Sequence, residues 1–150
     1  MPAIYIDADA CPVKEEVYRV ARRYAVRVTV VANATLRVPD DPLVELVVRP
    51  GFGAADDWIT GQAVPGDVVV TADVPLAARV VGRGAVVLDP KGRVLDADTV
   101  GEALGVRDLM EGLRQAGEAT GGPSPMTPRD RSRFLSKLDE LVNAARRQRG

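Results

Sequence analysis

The sequence contains no histidine and only one cysteine, Cys11. Without histidine, the serine–histidine and cysteine–histidine catalytic arrangements are excluded, and so are the usual zinc sites. A single cysteine cannot form an internal disulfide, which suits a reducing compartment. Aromatic residues make up 4% of the chain, so valine, alanine and leucine must fill most of the core. No apolar run approaches the roughly 18 residues of a membrane span. The opening Met1–Asp7 segment lacks the basic start of a secretory signal. A cytoplasmic protein with no membrane partner is therefore expected. Any bound metal must be held by oxygen, which points to Mg²⁺, Mn²⁺ or Ca²⁺.

What is present describes one globular domain: 150 residues, 46% hydrophobic and 27% charged. The net charge of −1 conceals an asymmetry. Residues 127–150 carry seven basic and three acidic side chains, a net of +4, which leaves −5 for residues 1–126. A basic end on an acidic body suits a polyanion such as RNA or another nucleic acid, with Arg129 and Arg131 as candidate contacts. A solvated helix face is the plainer alternative.

Periodicity and turn chemistry divide the chain into alternating strands and helices. Residues 3–7 read as a buried strand, and residues 12–25 as a helix opened by Pro12. Strands follow at 27–32 and 43–48, separated by the loop Asn33–Pro42. A helix is expected at about 55–63, a strand at 68–70, a helix from Pro75 to Val81 and a strand at 85–88. The turn Asp89–Gly92 leads to a short edge strand at 93–95. Residues 98–118 read as helical, broken at Gly105. Residues 119–126 read as a Gly/Pro linker. Thr127-Pro128-Arg129-Asp130 starts a basic amphipathic helix to residue 150, whose stripe of Phe134, Leu135, Leu138, Leu141, Val142 and Ala145 is expected to pack on the domain of residues 1–118. The fold class is α/β, a three-layer sandwich with a mostly parallel sheet of about five strands and helices on both faces.

Ligands of such sheets bind beyond the carboxyl ends of the strands, where strand order reverses. Asp7 ends the first strand, and Asp73 follows the strand at 68–70. Asp9 points the same way as Asp7 if the backbone stays extended. Asn33 and Thr71 stand on the same rim as uncharged polar groups. Helical phase puts Asp56 beside the apolar face of Ala55, Trp58, Ile59 and Ala63, with Asp57 turned nearly away. Four or five carboxylates in one pocket require a cation, so Asp7, Asp9, Asp56, Asp57 and Asp73 are the candidate metal ligands. The alternative for each is a helix cap or turn. Asp67 at a strand start, and Asp40, Asp41, Asp89, Asp96 and Asp98 in turns, read as solvated. Cys11 reads as a small packing residue, because neighbouring acids disfavour its thiolate.

The segments Asp7-Ala8-Asp9-Ala10-Cys11-Pro12-Val13-Lys14, Gly53-Ala54-Ala55-Asp56-Asp57-Trp58-Ile59 and Val70-Thr71-Ala72-Asp73-Val74-Pro75 resemble the YaiI/YqxD family of bacterial proteins. Gly122-Pro123-Ser124-Pro125-Met126-Thr127-Pro128-Arg129-Asp130-Arg131 extends the resemblance, which covers nearly the whole chain. That family is functionally uncharacterised. Asp7, Asp56 with Ile59 and Ala63, and Thr71 with Asp73 are also similar to the pattern of PIN-like nuclease domains. That similarity implies a sheet ordered 3-2-1-4-5, Mg²⁺ or Mn²⁺ as cofactor, and RNA cleavage. The pattern's further glutamate has no clear counterpart, and Asp9 and Asp57 are its candidate replacements.

Three functions follow. The first is metal-dependent phosphodiester hydrolysis by a ribonuclease-like hydrolase. Here Asp7, Asp9, Asp56, Asp73 and Thr71 are catalytic, and Asn33, Lys14, Arg129 and Arg131 contact substrate. The second is a phosphatase of the haloacid dehalogenase type, with Asp7 as nucleophile and Asp9 serving the leaving group. The third is a non-catalytic RNA-binding or adaptor module.

Overall fold

The computed structural model describes residues 2–117 and 125–149. The linker expected at 119–126 thus lies outside the described residues, apart from Pro125 and Met126. Six strands form one sheet: β1 (Ala3–Asp7), β2 (Arg27–Ala32), β3 (Val44–Val48), β4 (Val68–Val70), β5 (Val86–Leu88) and β6 (Val94–Leu95). Their order is β3-β2-β1-β4-β5-β6, parallel throughout except for the antiparallel β5–β6 pair. The order implied by the PIN-like pattern is therefore present, extended by one edge strand. The helices are α1 (Lys14–Tyr24), α2 (Ala54–Gln62), α3 (Val74–Val81), α4 (Val100–Gln115) and α5 (Pro128–Arg149).

Alternation along β1 divides the core in two. Ile4 and Ile6 face a cluster completed by α1 and α5 through Val17, Ala21, Phe134, Leu138 and Val142. Tyr5 leans the other way, toward Ile59 of α2, Leu76 and Val80 of α3, and Ala103 of α4. The result is three layers, with helices on both faces of the sheet. The central strand β4 is three valines, all fully buried, as a strand covered on both sides requires. No helix among the described residues is long and apolar enough to cross a membrane.

Several local expectations change. Pro12 and Val13 form a turn ahead of α1, which begins at Lys14, and α1 closes on Ala25 in the left-handed conformation at φ 53°. The 16-residue α4 runs unbroken through Gly105. A helical glycine costs roughly 1 kcal/mol relative to alanine but keeps its backbone hydrogen bonds, so it weakens the helix without ending it. The start of α5 is a reciprocal capping box: Asp130 N–H donates to the Thr127 hydroxyl at 3.1 Å, and Thr127 N–H donates to the Asp130 carboxylate at 3.0 Å. These bonds to Thr127 hold the Asp130 carboxyl below its ordinary range. Further along, α5 crosses the 89–92 turn so closely that a Cβ on Gly92, at φ +89°, would lie 3.0 Å from the Arg133 carbonyl carbon.

Asp67 corrects a sequence expectation. It is 3% exposed, not solvated. One carboxylate oxygen accepts the Ala3 N–H that opens β1, and the other accepts the Val64 N–H of the preceding turn, each at 3.1 Å. It ties together the amino ends of two neighbouring strands, opposite the rim where the other acids gather. Asp67→Ala leaves two part-buried backbone donors without their acceptor and is expected to cost about 1–3 kcal/mol in urea unfolding. A loss below 0.5 kcal/mol contradicts this role.

Candidate metal centre

Strand order reverses between β1 and β4: from β1 the chain steps outward to β2 and β3, then returns across to β4. Asp7 is the last residue of β1, and Asp73 caps α3 three residues past β4. The return from β3 enters through α2, whose first turn carries Asp56. Three separate stretches of chain therefore deliver carboxylates to one crevice. Oxygens of Asp7, Asp56 and Asp73 lie within 4.8 Å of one another. The crevice is an open cleft of about 270 Å³ lined by these three with Asp9, Asn33, Phe52, Gly53 and Ala55.

Thr71 fixes two of the acids. Its hydroxyl donates to Asp7 Oδ2 at 2.7 Å and accepts the Asp73 N–H at 3.0 Å. Asp73 Oδ1 in turn accepts the Leu76 N–H at 3.1 Å, so this residue is both a helix cap and a member of the cluster. Asp7 is 6% exposed and Thr71 1%. Burial raises the Asp7 carboxyl above its ordinary range, the Thr71 hydrogen bond opposes that shift, and the charges of Asp56, Asp73 and Asp9 add to it. Asp56 is also raised, by burial first and then by Asp73, with Arg79 pulling the other way.

The remaining candidates distribute as follows. Asp9 does not continue an extended strand. The backbone tightens into a 3-10 turn over Ala8–Ala10, leaving Asp9 exposed on the lip with one oxygen accepting the Asn33 N–H at 3.2 Å. Asn33 also lines the cleft. Asp57 does not join the cluster, because its side chain is 70% exposed and pairs with Arg79 at 2.8 Å. The Thr71 side chain is buried beneath the cleft, with its one proton committed to Asp7. Lys14 is turned to the Cys11 carbonyl at 2.9 Å, away from the acids. Arg131 is occupied by the Pro12 carbonyl and Glu16, which makes it a link between α5 and α1. Arg129 is exposed at the start of α5 and is not part of the cleft lining. Cys11 is buried, which pushes its thiol up to about 11.

Phe52 is the residue that sequence reasoning missed. It lines the cleft yet is fully exposed, while the chain's other phenylalanine, Phe134, is fully buried. The available signal was a lone aromatic between two glycines just past a strand end, in a chain with only two phenylalanines.

With the site in view, the comparisons are informative. The family model described as "Uncharacterized BCR, YaiI/YqxD family" matches residues 5–144. The chain belongs to that family. It is similar to a UPF0178 protein of Bradyrhizobium diazoefficiens, at 55% identity over 97% of this chain and 88% of the relative. A UPF0178 protein of Rhodopseudomonas palustris strain BisB18 is also 55% identical, over 96% of this chain and 94% of that protein. One from Nitrobacter winogradskyi is 53% identical over 96% and 92%. No solved structure matches the chain. All residues of the acidic cluster fall inside the family match.

The raised carboxyls, shifted by burial first and by neighbouring acids second, carry a stability consequence. A carboxyl raised in the folded state is harder to ionise there than in the unfolded chain, so folding loses stability as pH rises through and above the ordinary carboxylate range. Asp7→Asn is therefore expected to raise the melting temperature of the metal-free protein at pH 7. The gain should shrink as pH falls toward the ordinary carboxylate value. A variant less stable than wild type at pH 7 contradicts a raised Asp7 carboxyl.

Proposed function

We propose that the protein is a divalent-cation-dependent phosphodiesterase acting on nucleic acid, with Asp7, Asp56 and Asp73 holding Mg²⁺ or Mn²⁺. The observation that carries this reading is the convergence of three carboxylates within 4.8 Å at the sheet's reversal point, in a cleft lined by no basic side chain among the described residues. The donor set fits the cation: hard oxygen ligands, crowded negative charge, and carboxyls raised first by burial and then by one another's charge. When bound, such a cation lowers the pKa of a water and neutralises charge on phosphate oxygens.

The chain's own residues supply position. Thr71 locks Asp7, and the α3 cap locks Asp73, so both carboxylates are oriented before a ligand arrives. Asp9 stands on the same cleft outside the tight cluster. Its Oδ2 accepts the Asn33 N–H, which leaves Oδ1 to take a proton from the attacking water. The acidic lining repels a phosphodiester until it is neutralised, which makes activity strictly cation-dependent. Similarity to the PIN-like pattern supports nucleic acid, RNA in particular, as the phosphodiester. The phosphatase alternative is less well supported: it calls for a lysine at the cleft, and Lys14 points instead to the Cys11 carbonyl.

Labelled single-stranded RNA incubated with Mg²⁺ or Mn²⁺ tests the proposal. Wild type is expected to cut it, EDTA to stop the reaction, and Asp73→Asn to slow it on the order of a hundredfold or more. Asparagine keeps the helix cap, so the variant should still fold. Cleavage that persists in EDTA or in the variant refutes the proposal, as does intact RNA with metal-loaded wild type.

A further inference from the structure

Phe52 is fully exposed on the lip of the acidic cleft, in a chain that uses few aromatics and buries its other phenylalanine completely. Its position is built. Gly51 at φ +109° and Gly53 at φ +73° flank it, both in backbone conformations that L side chains rarely adopt. The Ala54 N–H donates to the Gly51 carbonyl at 3.2 Å, closing a four-residue turn with Phe52 at its tip. Gly53 is also the cap of α2, and the Asp57 N–H donates to its carbonyl at 2.9 Å. The turn holding Phe52 is thus continuous with the helix that carries Asp56, and the backbone that carries the ring is fixed beside the acids.

An exposed ring with no hydrogen-bonding group recognises a flat apolar face and no particular edge. Beside a cleft suited to a phosphodiester through a cation, the ligand that offers both is a nucleotide chain. We infer that Phe52 is a stacking platform for a nucleobase next to the phosphate at Asp7, Asp56 and Asp73, so that the substrate is unpaired nucleic acid with little sequence preference. The inference rests on the phosphodiesterase reading and adds its substrate class. A base inside a duplex has both faces covered by its neighbours, and it cannot reach the ring without leaving the stack.

The test is equilibrium binding of the full chain to fluorescent oligoribonucleotides in Ca²⁺, with their integrity checked on gels and Mn²⁺ affinity measured in parallel. Phe52→Ala is expected to weaken binding of a single strand about 5- to 150-fold, the range of one lost stacking contact. Phe52→Tyr should bind like wild type. An abasic strand should bind wild type as weakly as the normal strand binds Phe52→Ala, and duplex should bind both proteins weakly. The alanine variant should keep its melting temperature and its Mn²⁺ affinity, because the side chain is fully exposed. If Phe52→Ala holds the single strand as tightly as wild type, or duplex binds wild type as tightly as single strand, the stacking platform is overturned and the cation site stands. If wild type binds Mn²⁺ but no oligonucleotide, the nucleic-acid reading falls and the platform falls with it.

Discussion

One hydrogen bond organises the acidic end of this sheet. The Thr71 hydroxyl reaches from the end of β4 to Asp7 at the end of β1, joining residues 64 apart in sequence at 2.7 Å. A hydroxyl has a single proton, and here it is spent on Asp7; a lone pair of the same oxygen receives the Asp73 N–H. One small side chain thereby fixes the carboxylate of one strand and the backbone of the next. The bond is possible only because β1 and β4 are neighbours in register, Ile6 beside Val70, with strand order reversing between them. The Asp67 clamp at the opposite end of the same two strands keeps that register from the other side.

The arrangement opposes electrostatics rather than following it. Isolated carboxylates separate; these are held together by a rigid sheet and helix starts, and burial first, then the charge of their neighbours, raises the range in which Asp7 and Asp56 take up a proton. Arg79 lowers Asp56 in part through its charge, but its ion pair is with Asp57 outside the cluster. Structural acids in this chain look different. Asp67 and Asp130 accept backbone N–H groups with both oxygens or in a closed capping box, whereas Asp7 and Asp56 crowd other acids. A fold that stores unfavourable charge at one rim and satisfies it elsewhere has the pattern of a ligand site.

Much of this was legible in the sequence because two signals are strong there. Apolar β-branched runs mark the central strands, and an acid at or shortly past a strand's carboxyl end locates the rim, as with Asp7 and Asp73. Helical phase separated Asp56 from Asp57, since one residue step turns a side chain by about 100°. Contacts between distant segments were not legible. Asp67 looks like a solvated residue at a strand start until Ala3 is beside it, and Thr71 looks like a polar group open on the rim until its hydroxyl is seen donating to Asp7. Lys14 and Arg131 look like phosphate contacts until Cys11, Pro12 and Glu16 occupy them. The basic helix α5 is correspondingly as much a structural element as a charged one. Its buried stripe covers α1, and Arg23 and Tyr24 of α1 both meet its Asp139. Phe52 was missed for the opposite reason: an aromatic residue is assumed to be core, and only the structure shows it standing outside.

The central claim is that Asp7, Asp56 and Asp73 form one cation site. Anomalous scattering from crystals grown with Mn²⁺ tests it most directly. The account predicts a manganese peak coordinated by all three carboxylates, with Asp57 still paired to Arg79. A structure of the Mn²⁺-soaked protein with no peak between those residues, or with manganese bound at Asp57 instead, would contradict it.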